Sequence, residues 1–211
     1  MGFWRHKTVR LALLGAWVLA MALGIRILLS YSNTPGTAAR PLAEWPRQAP
    51  FQPVPGRLTL LVFIHPRCPC SRASLEELAR IIAAARHRVQ TAVFFYVPPD
   101  SQEDWAHTDL WTSAAGIPGV RVAADPDASI ARQFGARTSG QTLLYDRHRN
   151  LVFSGGITAA RGHSGDNDGR DSIVALLQGK TPLRRTTPVF GCALFGDTAA
   201  ILDERRQGSL H

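Results

Sequence analysis

Three cysteines carry the chemistry open to this chain of 211 residues. Two of them, Cys68 and Cys70, flank a single proline in the run His65, Pro66, Arg67, Cys68, Pro69, Cys70, Ser71. The third, Cys192, follows Pro188, Val189, Phe190 and Gly191. A cysteine acts as nucleophile or metal ligand through its thiolate, so the question is whether the fold places these sulfurs where negative charge is favoured. A bond between Cys68 and Cys70 would enclose one residue only, which strains it and makes it an oxidising couple. Either Cys70 or Cys192 could therefore resolve a mixed disulfide formed on Cys68. Soft thiolates also select Cu(I), so Cys68 and Cys70 with Cys192 or His163 form an alternative copper shell.

The elements that must position the pair are legible on both sides of it. An apolar run, 58–64, precedes it, and Leu75, Leu78, Ile81, Ile82 and Ala85 follow it at helical spacing. The cysteines thus sit at a strand-to-helix junction. With Cys68 as N-cap and Pro69 at the first helical position, the free amides and positive dipole end favour a thiolate on Cys68. Ser74 and Glu77 form a competing capping box that would start the helix later. His65, at the end of the strand, is placed to tune the thiolate.

Further along, 91–97 is a second buried strand, and Ser101 caps a helix carrying Trp105, Trp111 and Ala115. A short strand, 120–123, leads to Asp125, Pro126 and Asp127, read as a cap and first turn of a helix with Ile130 and Phe134. The runs 142–145 and 151–153 flank a polar turn and form an antiparallel hairpin. A glycine- and aspartate-rich loop, 155–169, holds Arg161 and His163 and has the length of a functional loop. A closing helix carries Ile173, Val174, Leu176 and Leu177. The tail contains an apolar patch, 188–195, that should pack back on the domain and bring Cys192 with it.

The N-terminus carries Arg5, His6, Lys7 and Arg10 ahead of an apolar run, 11–31, broken only by Arg26. That length matches the hydrocarbon core of a bilayer, and the leading charges hold the N-terminus in the cytoplasm. A cleaved signal peptide with its core at 11–25 is the alternative. Both readings export the remainder to an oxidising compartment. The organisation expected is a cytoplasmic N-terminus and anchor, 1–31; a Pro-rich spacer, 32–57, whose Trp45 and Phe51 can pack on the domain's flank; a domain, 58–180; and a tail, 181–211. The net charge of +8 does not imply nucleic acid. Every basic residue but Lys7 and Lys180 is arginine, and those arginines are scattered without interleaved aromatics.

The order strand, cysteine pair, helix, strand, helix, hairpin, closing helix resembles the thioredoxin-like superfamily over roughly 54–180, with a helix and strand inserted as in membrane-tethered bacterial thiol-disulfide proteins. The motifs around Cys68, the loop at 154–163 and the run 188–192 resemble more particularly the bacterial proteins called RedB. The resemblance implies an α/β fold with a central mixed sheet flanked by helices. Together with the helix-start placement of Cys68 beside a second thiol, it leads to the expectation of a thiol-disulfide oxidoreductase using Cys68 and Cys70, with Cys192 a third site residue and no cofactor unless copper is bound. Its partners would be thiol- or disulfide-containing periplasmic proteins, met by a single-pass bacterial inner-membrane protein whose domain faces the periplasm. Two departures from the superfamily stand out. The cysteine motif is one residue shorter than C-x-x-C, and the stretch 138–142, where the superfamily has a cis-proline facing the cysteines, contains no proline. The C-x-x-x-C spacing of the copper-delivery proteins called Sco is also missing.

Overall fold

An apolar strand, β1 (Leu58–Ile64), is the centre of the fold because both of its faces are covered. The structure is a computed structural model that describes residues 2–85, 88–102 and 104–196, with side chains from residue 9 onward. The charged side chains of Arg5, His6 and Lys7 and the end of the tail, 197–211, lie outside the described residues.

The chain divides into two units, 1–34 and 35–211. The first is one helix, α1 (Gly2–Asn33), of which Val9–Asn33 is long and apolar enough to cross a membrane.

In the second unit, α2 (Ser71–Ala85), β2 (Val89–Val97), α3 (Asp109–Ala115), β3 (Val120–Pro126) and α4 (Ser129–Gln133) follow β1. Then come β4 (Gln141–Tyr145), β5 (Leu151–Gly155) and α5 (Asp168–Leu177). The sheet order is β3-β2-β1-β4-β5, in which β1, β2 and β3 are parallel and β4 and β5 run antiparallel to their neighbours. Alternation along β1 divides the core in two. Leu60, Val62 and Ile64 pack with Leu75, Leu78 and Ile81 of α2, Leu110 of α3, and Ile173 and Leu177 of α5. Leu61 and Phe63 turn to the other face, against Phe134, Leu143, Tyr145 and Trp45.

Trp45 lies in that second core with Phe51 packed against it, so the flank contact expected of the spacer's two aromatics forms. Trp45 is only 5% exposed and meets Phe134 and Tyr145 edge-on, with ring centroids 4.9 and 5.1 Å away. Backbone bonds fasten the same segment: Arg40 N–H to Gly135 O, Trp45 N–H to Arg149 O and, in return, Leu151 N–H to Ala43 O. Proline supplies extended backbone here, but buried aromatic area makes the segment a strap on the domain rather than a free linker.

Two helix starts also differ from the local reading. Ser101 donates to the Pro98 carbonyl instead of capping a helix, and α3 begins only after Thr108. Asp125 remains on the strand side, with Pro126 still in β3, yet its carboxylate accepts from the Ile130 and Ala131 amides and the Ser129 hydroxyl. It caps α4 from several residues upstream, and these donors offset only part of the burial, which holds its pKa above the ordinary carboxylate value.

Candidate active site

The turn between β1 and α2 presents the first two thiols. Cys68 N–H donates to His65 O and Ser71 N–H to Cys68 O, both at 3.0 Å, so consecutive tight turns carry the chain into α2. The helix starts at Ser71, later than a Cys68 cap would give and earlier than the Ser74–Glu77 box. Glu77 has another task. Its side chain is fully buried and accepts from Arg80, from Arg170 of α5 at 2.9 Å and from the Gly165 amide at 2.7 Å. A buried carboxylate is tolerable only when paired and hydrogen-bonded, and here its partners pin the loop 155–169 to the cysteine helix.

The third thiol arrives by a long route. Residues 185–187 run beside β5, with Ser154 N–H donating to Arg185 O and Thr187 N–H to Ser154 O. The chain then crosses to the segment before β4. There Ser139 N–H donates to Cys192 O at 2.8 Å, Leu194 N–H donates to Arg137 O, and Thr138 pairs with Ala193. Gly191 is required at this crossing, because a Cβ there would collide with the Ser139 carbonyl. Cys192 is thereby delivered to Cys68, their Sγ atoms 3.0 Å apart. The sequence left Cys70 and Cys192 open as the partner of Cys68; the 3.0 Å sulfur contact is with Cys192, and the Cys70 thiol also hydrogen-bonds to Cys68.

The surroundings divide the protons between the sulfurs. Cys68 is 1% exposed, and burial, the largest single influence on it, raises its pKa. Hydrogen bonds from the Cys192 side chain and amide, the Ser71 hydroxyl and the Cys70 backbone together outweigh that, and the Cys68 pKa ends below the ordinary thiol value. Cys192 moves oppositely: burial first, then its hydrogen bond to Cys68 and the charge there, push it up to about 12. Cys70, 8% exposed, is also raised, by burial and by the charge on Cys68. The arrangement favours the thiolate on Cys68, placed to accept the Cys192 thiol proton and, at 3.4 Å, the Cys192 amide.

Three residues not singled out for the site complete it. Ser139 lies in the stretch where a cis-proline was sought; its hydroxyl accepts from His65 N–H and bonds Ser71 Oγ, each at 2.7 Å. Ser71 in turn is a donor to Cys68. The residue from the glycine-rich loop that reaches the thiols is Arg161, whose Nη1 donates to Gly191 O at 2.6 Å and whose charge lowers both Cys70 and Cys192 against the influences that raise them. Loop length and composition marked the segment; nothing in the sequence distinguished Arg161 from the other scattered arginines.

His163 stays exposed with its Nδ1 on Arg161 O, and His65, with Nδ1 accepting from Arg67 N–H, is held below its ordinary pKa by burial and the Arg67 charge. His65 packs instead on Tyr96 and Trp105. The copper shell of Cys68, Cys70, Cys192 or His163 fits poorly. Among the described residues no group of three His, Cys, Asp or Glu side chains is arranged to hold a metal ion, and a guanidinium faces the thiols.

Comparison with known proteins agrees with this architecture. No family model matches the chain, and neither does any curated protein. A hypothetical protein from Sinorhizobium meliloti of known structure is 25% identical, the match covering 76% of this chain and 93% of that one with a TM-score of 0.55. An uncharacterized conserved protein from Geobacillus kaustophilus is 19% identical over 78% of this chain and 93% of its own, with a TM-score of 0.56. A secreted Mycobacterium tuberculosis disulfide oxidoreductase homologous to E. coli DsbE is 14% identical over 59% and 83%, with a TM-score of 0.42. With β1 central, a parallel β2 on one side, an antiparallel β4–β5 hairpin on the other and a cysteine pair at the head of α2, the chain has a thioredoxin-like fold, extended by the inserted α3 and β3.

Proposed function

We propose that this protein is a thiol-disulfide oxidoreductase, anchored by α1 in the bacterial inner membrane with its domain in the periplasm, and that its redox couple is Cys68 with Cys192. The observation that carries the reading is the 3.0 Å approach of a stabilised thiolate to a second thiol. The two sulfurs need close by only about one ångström to bond at the usual ~2.05 Å. Closure oxidises the pair by two electrons, and the disulfide of a partner protein is reduced to two thiols in exchange. The reverse transfer reduces the couple and oxidises the partner. Cys70 neighbours the couple as a protonated thiol. Partners are exported proteins with exchangeable thiols, since an oxidising compartment keeps such chemistry in use.

Peptide mapping under non-reducing conditions, after treatment with oxidised glutathione, tests the couple. The bond expected joins Cys68 to Cys192. Cys68→Ser and Cys192→Ser should each slow exchange with a thiol protein on the order of a thousandfold, to the level of an unassisted thiol, while Cys70→Ser keeps most of it. A dominant Cys68–Cys70 bond, or exchange that survives loss of Cys68, overturns the assignment.

A further inference from the structure

The two sulfurs of the couple are unequally placed, and the asymmetry bears on which of them meets a partner. This step rests on Cys68 and Cys192 being the couple. Cys68 is enclosed by the β1–α2 turn, by Ser71 and by the Cys192 amide, and only 1% of the residue is exposed. Cys192 is half-buried, so it is the member of the pair that solvent reaches. Displacement at a disulfide is in line, the entering sulfur approaching opposite the leaving one, and access decides which sulfur is attacked. With the Cys68 residue nearly sealed and Cys192 open to solvent, entry at Cys192 is the less hindered.

Two further observations point the same way. The departing sulfur becomes a thiolate, and the donors that receive a thiolate are gathered at Cys68: the Cys192 amide at 3.4 Å, the Ser71 hydroxyl and the Cys70 backbone. The Arg161 guanidinium is tied to Gly191 O, the residue before Cys192, and its charge, felt at Cys192, attracts an incoming anion.

We propose that, when this protein donates its disulfide to a dithiol protein, Cys192 Sγ is the atom that exchanges with the partner and Cys68 the thiolate that leaves. A partner thiolate attacks Cys192 Sγ, forming a mixed disulfide as the Cys68–Cys192 bond breaks and its electron pair departs on Cys68. The partner's second thiol then attacks the partner's own sulfur in that mixed disulfide. It loses its proton as it attacks, and Cys192 takes up one as it is released. The partner has lost two electrons to a new disulfide, and the couple has gained them as a Cys68 thiolate and a Cys192 thiol. A stabilised thiolate in the reduced form is what makes such a couple oxidising. A second disulfide compound regenerates the bond by the reverse exchange.

The test uses the oxidised full-length chain carrying Cys70→Ser, which removes scrambling through the neighbouring thiol, with reduced glutathione as the probe. After non-reducing mapping of the starting bond, the reaction is quenched with acid at early times, free thiols are blocked and the chain is digested with trypsin. Cleavage after Arg67, Arg72 and Arg185 puts Cys68 and Cys192 on separate peptides. Glutathione should be found on the Cys192 peptide in about tenfold excess or more. Equal or greater labelling of the Cys68 peptide overturns the proposal while leaving the couple intact. Failure to form the Cys68–Cys192 bond in the first step overturns the couple, and this proposal with it.

Discussion

The β1–α2 turn and the crossing segment at 188–194 each supply a sulfur, and they are built in opposite ways. The turn is largely local: its backbone-to-backbone bonds link residues three apart, and it is continuous with a buried strand and an amphipathic helix. The crossing segment has no helix or strand of its own and is held by bonds taken from others, to Gly36, Gly156, Ser139 and Arg137. Yet part of what favours a thiolate on Cys68 comes from the second region, through the Cys192 thiol and amide. The reactivity of the rigid element is therefore set by the docked one.

The link between the two regions can be broken at three points of decreasing severity. Glu77→Ala removes the buried carboxylate and leaves Arg170 and the Gly165 amide without it; the loss expected is about 3–5 kcal/mol of stability, read from denaturant unfolding. The loop that carries Arg161 loosens with it. Gly191→Ala drives a Cβ into the Ser139 carbonyl and should cost about 1–3 kcal/mol, while the Cys68 pKa, followed by thiolate absorbance, rises toward that of a free thiol. The turn itself is untouched by this change, so a Cys68 pKa that stays low would show that the local element alone sets it. The smallest effect is a slope with pH in the reduced protein. The Cys68 thiolate, its pKa lowered on folding, contributes stability that is fully present above the unfolded value of about 8.5 and is lost as pH falls through the folded value. Cys192, raised to about 12, contributes below the unfolded value and loses that contribution as pH rises through its own. From neutrality up to the ordinary thiol range the Cys68 contribution grows, so the denaturant midpoint should rise with pH, and Cys68→Ser should flatten that rise.

What could be read from the sequence follows the same division. The strands at 58–64 and 91–97, the hairpin and the cysteine helix rest on periodicity within short windows, and each is present in the structure. Of the strap, Trp45 and Phe51 stood out as aromatics able to pack on the flank, but its backbone bonds to Gly135, Arg149 and Leu151 were not legible, because a proline-rich composition reads alike in a linker and in a fastened segment. At the site, Cys68 and Cys70 stood out by spacing and Cys192 by its apolar flanks. Ser139 and Arg161 act through partners distant in the chain, and neither residue type is unusual where it stands.

The pairing of residues 185–187 with β5 has a consequence beyond the thiols. A sheet edge left open presents unpaired amides and carbonyls to the strands of other chains. Ser154 is bonded on that side to Arg185 and Thr187, and Gly155 and Gly156 lie so close to Thr187 and Pro188 that a side chain at either would collide with them. The segment that delivers Cys192 thus also shields the β5 edge from aggregation. A chain shortened before Arg185 would lose its second sulfur and expose that edge together, so its failure would take the form of self-association as well as lost exchange.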